Sequence, residues 1–330
     1  METTATKLKF TAKQEDLLAL APLARIATKE PFNNIYTDGN VAWASNRVLT
    51  IHTILNSQAE GNTIAINAQK LYQIISTIDG EVTFNNGTIT AKGKKSKINA
   101  ISTEILPYKD ITGIDYEINA KEFINQLKRT VYACAEGMNS ILSGVLIDDT
   151  KLVATDGNIL IANTLSDSLL DKQIILSNKF IEELIKIFAN SDTLILTIND
   201  NNIKITDGTT TIISKMLEGQ YPKYNQLIPK ESANIGTIDR LELLDALSFI
   251  DTMINVKTNI VKLNFTQGAL EISTKNEDGE NNTIIDIDYV GEDMLIAFNI
   301  QYLNKILKSY SSSTVKISMN TNLSAVVITD

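Results

Sequence analysis

Thr155-Asp156-Gly157-Asn158 separates two apolar runs in KLVATDGNILIA, residues 151–162. A carboxylate beside a hydroxyl in a tight turn could do general acid–base work, and Asp148 and Asp149 lie just upstream as candidate second carboxylates. The same letters also suit a bare turn. Asp-Gly between apolar runs is a hairpin signal, and an Asp in such a turn bonds its own backbone. They recur at Thr37-Asp38-Gly39-Asn40, in the place within their segment that Asp148-Asp149-Thr150 holds later in the chain. Recurrence at non-equivalent positions argues for turn chemistry, so no catalytic role is assigned to Asp156. No Asp-x-Asp or Glu-x-x-His spacing surrounds the turn, and no metal or cofactor is expected there.

The remaining chemistry-bearing residues exclude whole reaction classes. The chain has one His and one Cys, His52 and Cys134. Together they cannot make a Cys/His zinc site, and any nucleophilic triad would have to use His52. His52 sits in NRVLTIHTIL, an alternating run that reads as a strand. Neither GxxxxGK[ST] nor GxGxxG is present, so no phosphate-cradling loop is expected. A lone cysteine precludes an intrachain disulfide and fits a reducing, cytoplasmic setting. The start, METTATKLKF, lacks the apolar stretch of a secretory signal, and no run approaches a membrane span.

The elements that must carry these residues form a repeat. Helical periodicity appears over 12–28, 67–78, 119–135, 177–189, 239–255 and 299–310. The second, fourth and sixth of these follow short strands (TIAI, QIIL, LIAF), open on Asn or Ser as N-caps, and lead into strand pairs with Asn-bearing turns. The odd-numbered helices lead into the hairpins IYTDGNVAWAS, GVLIDDTKLVATDG and VKLNFTQGALEIST. The 330 residues therefore divide into three α+β domains, 1–115, 116–232 and 233–330, each with two helices on antiparallel sheets. In the third helix Phe123, Leu127 and Val131 should face in. In the sixth, Leu303, Ile306, Leu307 and Tyr310 should.

Charge follows the same division. The chain carries −9 overall, yet counted over 12–29, 67–78, 121–133, 178–189, 239–257 and 299–310 the helical segments sum to +4 and leave −13 on the rest. Lysine is a good helix former on any solvated face. The distribution also suits helices that share a surface facing a polyanion. Lys92, Lys94, Lys95 and Lys97 form a further basic run with the alternation of an exposed strand.

Four stretches carry a resemblance to a known family: LSGVLIDDTKLVATDGNILIAN, ILSNKFIEELIKIF, ISKMLEGQYPKYNQLIP and YVGEDMLIAFNIQYLNKILK. In this order, on a threefold repeat, they resemble the bacterial sliding clamp, the β subunit of DNA polymerase III. The match is clear over 119–310 and looser over 7–115, where LPYKDITGI stands for the family's Leu-Pro-x-x-x-Phe-Pro. The resemblance implies a non-enzymatic processivity factor. Two subunits would close head to tail into a ring, with helices lining the hole and sheets outside. Duplex DNA would pass through without base-specific contact. On this expectation Arg25, Lys29, Lys70, Lys121, Lys128, Lys179, Lys305 and Lys308 face DNA.

The family also docks short linear peptides of the replicative polymerase, the clamp loader and repair proteins in an apolar pocket beside the Thr-Asp-Gly turn. Carried over, that pocket would use Leu142, Thr155, Gly157, Asn158, Ile159, Leu160, Pro229, Leu323 and Val326. Met253 and Ile254, opposite Ile98 or Ile101, are the expected subunit-interface residues. Two departures stand out. The family's His-Arg after the turn is Asn158-Ile159, and the chain ends at LSAVVITD where the family has a further strand. A monomeric clamp-like adaptor, binding partner peptides without closing a ring, is the competing expectation.

Overall fold

The computed structural model describes residues 7–46, 48–103, 110–137 and 140–330. Residues 106–109, the start of LPYKDITGI, lie outside the described residues. The chain forms two compact units. One comprises 1–154 and 161–219, and the other comprises Thr155–Leu160 with Gln220–Asp330.

All six periodic segments are helical, with trimmed ends. They are α1 (Gln14–Leu17) with α2 (Ala21–Ile26), α3 (Ala68–Ile75), α4 (Ala120–Val131), α5 (Asn178–Ile187), α6 (Arg240–Asp251) and α7 (Ile300–Ser309). The first segment is split by a 3₁₀ turn over Leu18–Leu20, and Pro22 falls in the first turn of α2, where its missing N–H costs nothing. Five helices begin on side-chain caps, three of them (Asn67, Ser177 and Asn299) as expected. Asn67, Asn119, Ser177, Asp239 and Asn299 each accept a backbone N–H of the first turn, a contact worth about 1 kcal/mol. The helices pack in pairs: α2 on α3, α4 on α5, and α6 on α7.

In the first unit a five-stranded sheet runs Ser57–Gly61, Leu8–Lys13, Glu81–Asn85, Thr88–Ala91 and Lys94–Lys97. Asn86 and Gly87 (φ 49° and 83°) and Lys92 and Gly93 (φ 44° and 80°) turn its last three strands. This corrects one expectation: Lys92 belongs to a turn, and only Lys94–Lys97 forms the exposed edge strand. A nine-stranded sheet runs Ala100–Ser102, Ile64–Asn67, Asn34–Thr37, Val41–Ser45, Leu49–Ile54, Thr210–Lys215, Asn202–Thr206, Thr193–Ile198 and Ile114–Asn119. Its central junction pairs Ile51 with Ile212 and Leu49 with Ser214, and the Thr53 and Thr210 hydroxyls meet at 3.1 Å. This shared sheet explains why two of the three helix pairs lie in one compact unit. A four-stranded sheet, all of it in this unit except the terminal residues Thr155 and Leu160, runs in the order Leu160–Thr164, Lys151–Thr155, Gly144–Asp148, Ile174–Ser177.

The second unit holds two four-stranded sheets. One runs Asp288–Val290, Asn234–Asp239, Thr314–Met319, Val327–Thr329, and the other Glu280–Asp286, Ala269–Lys275, Ile260–Thr266, Met294–Asn299. Leu243, Leu247 and Ile250 of α6 and Ile300, Leu303 and Leu307 of α7 pack with Leu263, Phe265, Ile272 and Ile317 into one aliphatic core. Tyr310 and Ile306 are only half-buried.

Candidate functional site

The Thr155–Asn158 turn is closed by hydrogen bonds among residues 155–159. The Thr155 hydroxyl donates to the Ile159 carbonyl at 2.6 Å and accepts the Gly157 N–H at 3.0 Å. Asp156 Oδ1 accepts the N–H groups of Asn158 and Ile159 at 2.8 and 3.0 Å. Gly157 has φ 93°, which glycine adopts without a Cβ clash. The same frame recurs at Thr37-Asp38-Gly39, where Asp38 Oδ1 accepts the N–H groups of Asn40 and Val41. It recurs again at Thr206-Asp207-Gly208, where Asp207 Oδ1 accepts those of Thr209 and Thr210. The sequence carries this third copy in plain letters as ITDG, residues 205–208.

In two of the copies the second carboxylate oxygen takes a hydroxyl from elsewhere in the fold, and for Asp207 Oδ2 the donor is Ser191 Oγ at 3.0 Å. The Tyr302 hydroxyl, from α7, donates to Asp156 Oδ2 at 2.9 Å, and Asn158 Nδ2 donates to that hydroxyl at 3.4 Å. Burial pushes the Asp156 carboxyl up. The Ile159 and Asn158 N–H groups and the Tyr302 hydroxyl outweigh it, so the carboxyl titrates below its usual value. A general acid or base needs the opposite, a pKa drawn toward neutrality. Among the described residues no group of three or more His, Cys, Asp or Glu could hold a metal ion.

Around this turn the residues expected in a peptide pocket are distributed as follows. Thr155 is buried, Ile159 and Leu160 are half-buried, and Gly157 and Asn158 are exposed; all five belong to the second unit. In that unit Pro229 is half-buried, Val326 packs on the core, and Leu323 is 94% exposed. Leu142 sits in the first unit, in a 3₁₀ turn over Ile141–Ser143. Helical periodicity carries no signal for the Tyr302 contact, because it tells which face of α7 a residue shares and not which turn that face meets.

The eight cations expected to face DNA are all on the surface. Two are engaged. Lys121 pairs with Asp192 at 2.7 Å, with both side chains largely exposed, and Arg25 Nε pairs with Glu183 at 2.6 Å. The Lys121 ammonium titrates above its usual value because Asp192 hydrogen-bonds it. Helix α6 offers no cation: its Arg240 guanidinium donates to the Ser312 and Leu307 carbonyls, and its surface carries Glu242 and Asp245 beside exposed Leu241 and Phe249.

The interface expectation divides. Ile98 is 7% exposed, its N–H donating to the Gly87 carbonyl, so it packs inward and presents no apolar surface. Ile101 is 68% exposed on the edge strand Ala100–Ser102 of the nine-stranded sheet. Met253 and Ile254 are half-buried after α6, where the Asn281 side chain ties the helix end to its neighbouring strand. His52 is a strand residue, as its alternation suggests, opposite Trp43 and Thr211. Burial, with Glu182 nearby, pushes the Cys134 thiol up to about 12, so it is protonated and inert at neutral pH.

Comparisons with known proteins agree with this architecture. Residues 117–223 match the family model for the central domain of the DNA polymerase III beta subunit, and residues 225–330 match that for its C-terminal domain. The beta sliding clamp of Haemophilus influenzae is 25% identical over 297 residues, covering 85% of this chain and 81% of that protein. That of Proteus mirabilis is 29% identical over 251 residues, covering 71% and 68%. Among solved structures, the DNA polymerase sliding clamp of Pseudomonas aeruginosa superposes with a TM-score of 0.89 at 22% identity, covering 98% of this chain and 96% of that one. The Bacillus subtilis sliding clamp gives 0.88 at 19%, covering 98% and 95%. The fold is therefore that of the sliding clamps, and the chain belongs to the DNA polymerase III beta-subunit, or beta sliding clamp, family.

Proposed function

We propose that this chain is a DNA sliding clamp, a processivity factor that encircles duplex DNA and tethers the replicative polymerase and other partners. The observation that carries the reading is the family match, which runs through both the central and C-terminal domain models and extends over 81% of the length of a sliding-clamp relative. Three repeats, 1–115, 116–232 and 233–330, supply three helix pairs per subunit, and a head-to-tail homodimer closes the ring. The clamp holds DNA by topology, so its cations need only balance phosphate charge. Each tight phosphate contact would add salt-dependent affinity and slow sliding. Arg25, Lys29, Lys70, Lys121, Lys128, Lys179, Lys305 and Lys308 are the cations assigned to that wall.

Partner proteins dock short hydrophobic peptides against the 155–160 turn, with Leu142, Thr155, Gly157, Asn158, Ile159, Leu160, Pro229, Leu323 and Val326 as the pocket. The neutral Asn158-Ile159 rim favours an apolar peptide over an acidic one. The protein performs no chemistry of its own, in keeping with a fully hydrogen-bonded Asp156. It acts in the cytoplasm, with the replication machinery. No described helix is long and apolar enough to cross a membrane.

The test is topological. Protein assembled on a closed circular duplex is retained through gel filtration and released when the circle is linearised. Release from circle and line alike would refute the encircling ring, and a single-chain mass in sedimentation would favour the monomeric adaptor.

A further inference from the structure

Glu183 lies on α5 between two cations. Its Oε2 accepts Arg25 Nε at 2.6 Å from α2, and its Oε1 accepts Lys186 Nζ at 3.1 Å from the next turn of its own helix. Its side chain is only 14% exposed, while Arg25 keeps 35% and Lys186 50%. The Lys121–Asp192 pair differs, with exposures of 72% and 83%. A pair so solvated is screened by salt and exchanges freely with other ions. A carboxylate set back from solvent and bonded by both its oxygens holds its cations more firmly.

The geometry points to Glu183 as a positioning residue that withholds Arg25 and Lys186 from DNA. This inference rests on the sliding-clamp reading. A phosphate approaching the α2–α5 surface must compete with a carboxylate already bound to the arginine. Arginine is the cation that grips phosphate most tightly, through two parallel hydrogen bonds. Tying down its Nε leaves the surface positive enough to attract a duplex and too weakly bonded to stop it. Glu183 thus acts as an internal counterion that sets friction on the DNA.

The experiment is duplex binding by the full-length protein, measured by fluorescence anisotropy from about 25 to 200 mM salt. Glu183→Gln keeps the shape and hydrogen-bonding capacity of the side chain but removes its charge. It should bind duplex at least about threefold more tightly at the low-salt end. The slope of log affinity against log salt should steepen by about 0.9 for each freed cation that reaches a phosphate. The double variant R25Q/E183Q should lose the part of the gain that Arg25 supplies, and the triple variant R25Q/E183Q/K186Q should return to the wild-type slope, because both freed cations are gone. An unchanged slope in E183Q, whether or not its melting temperature falls, would overturn the proposal and leave Glu183 a structural brace between α2 and α5. Absence of duplex binding by every form, with no retention on circular DNA, would instead overturn the clamp reading and this inference with it.

Discussion

The Tyr302 hydroxyl sits 2.9 Å from Asp156 Oδ2 and ties the 155–158 turn to α7, as the Ser191 hydroxyl, 3.0 Å from Asp207 Oδ2, ties the 206–209 turn to the residues after α5. Asp156→Ala, Asp38→Ala and Asp207→Ala each strip the acceptor from two backbone N–H groups and should each destabilise by about 1–2 kcal/mol in urea unfolding. Tyr302→Phe removes one contact and should cost about 1 kcal/mol or less. The Asp156 carboxyl titrates below its usual 3.8 in the folded state. Its stabilising effect is therefore complete above that value and is lost as pH falls through the folded pKa. Asp156→Asn should flatten that acid limb of the stability profile. Divalent-metal binding that disappears with Asp156→Ala, read by calorimetry, would contradict the turn assignment.

Ile98 and Ile101 should respond in opposite ways. Ile98 is buried, so Ile98→Ala should lower stability by about 2–4 kcal/mol without altering the self-association of the folded protein. Ile101→Asp places a charge on an exposed edge strand and should leave the melting temperature within about 2 °C. If the proposed ring closes there, that variant sediments as a single chain. A dimer as tight as wild type would remove Ile101 from the interface.

Lys128 and Lys305 are exposed and lie on α4 and α7. Replacing either by Gln should weaken duplex binding to a similar degree on any DNA sequence and make the salt slope shallower by about 0.9 for each lost phosphate contact. A change that depended on base sequence would place these side chains at base edges and argue against a sliding surface.

His52 should make the fold sensitive to mild acid. Burial lowers its pKa below the usual 6.5; Asp110 opposes that shift and Lys204 assists it. The unfolded chain therefore takes up the proton first as pH falls. Stability is complete above 6.5 and declines as pH drops through the folded pKa. His52→Gln should flatten the limb of the curve that falls below the usual 6.5, as followed by urea unfolding. An unchanged pH profile would show that the imidazole titrates as freely as in the unfolded chain.

The elements were legible because their causes are local. A run such as NAKEFINQLKRTV carries its own cap, its own apolar stripe and its own end, and it folds as the helix Ala120–Val131 with Asn119 capping. Asn86-Gly87 needs nothing beyond itself to specify a turn. The family resemblance was legible for the same reason, since each of its four stretches is a short segment in fixed order. What the letters could not say was which distant side chains meet. Arg25 finds Glu183 across 158 residues, and Asp156 finds Tyr302 across 146. Ile98 and Ile101 look alike in sequence, yet one packs inward and the other lines an edge. Arg25 and Glu183 could meet only once the register of Leu49–Ile54 on Thr210–Lys215 had joined two repeats into one sheet. The sequence by itself determined the helices, the turns and the threefold repeat. Only the tertiary structure decided which carboxylate each cation meets, because long-range pairing depends on the packing of whole sheets and leaves no periodic trace in the chain.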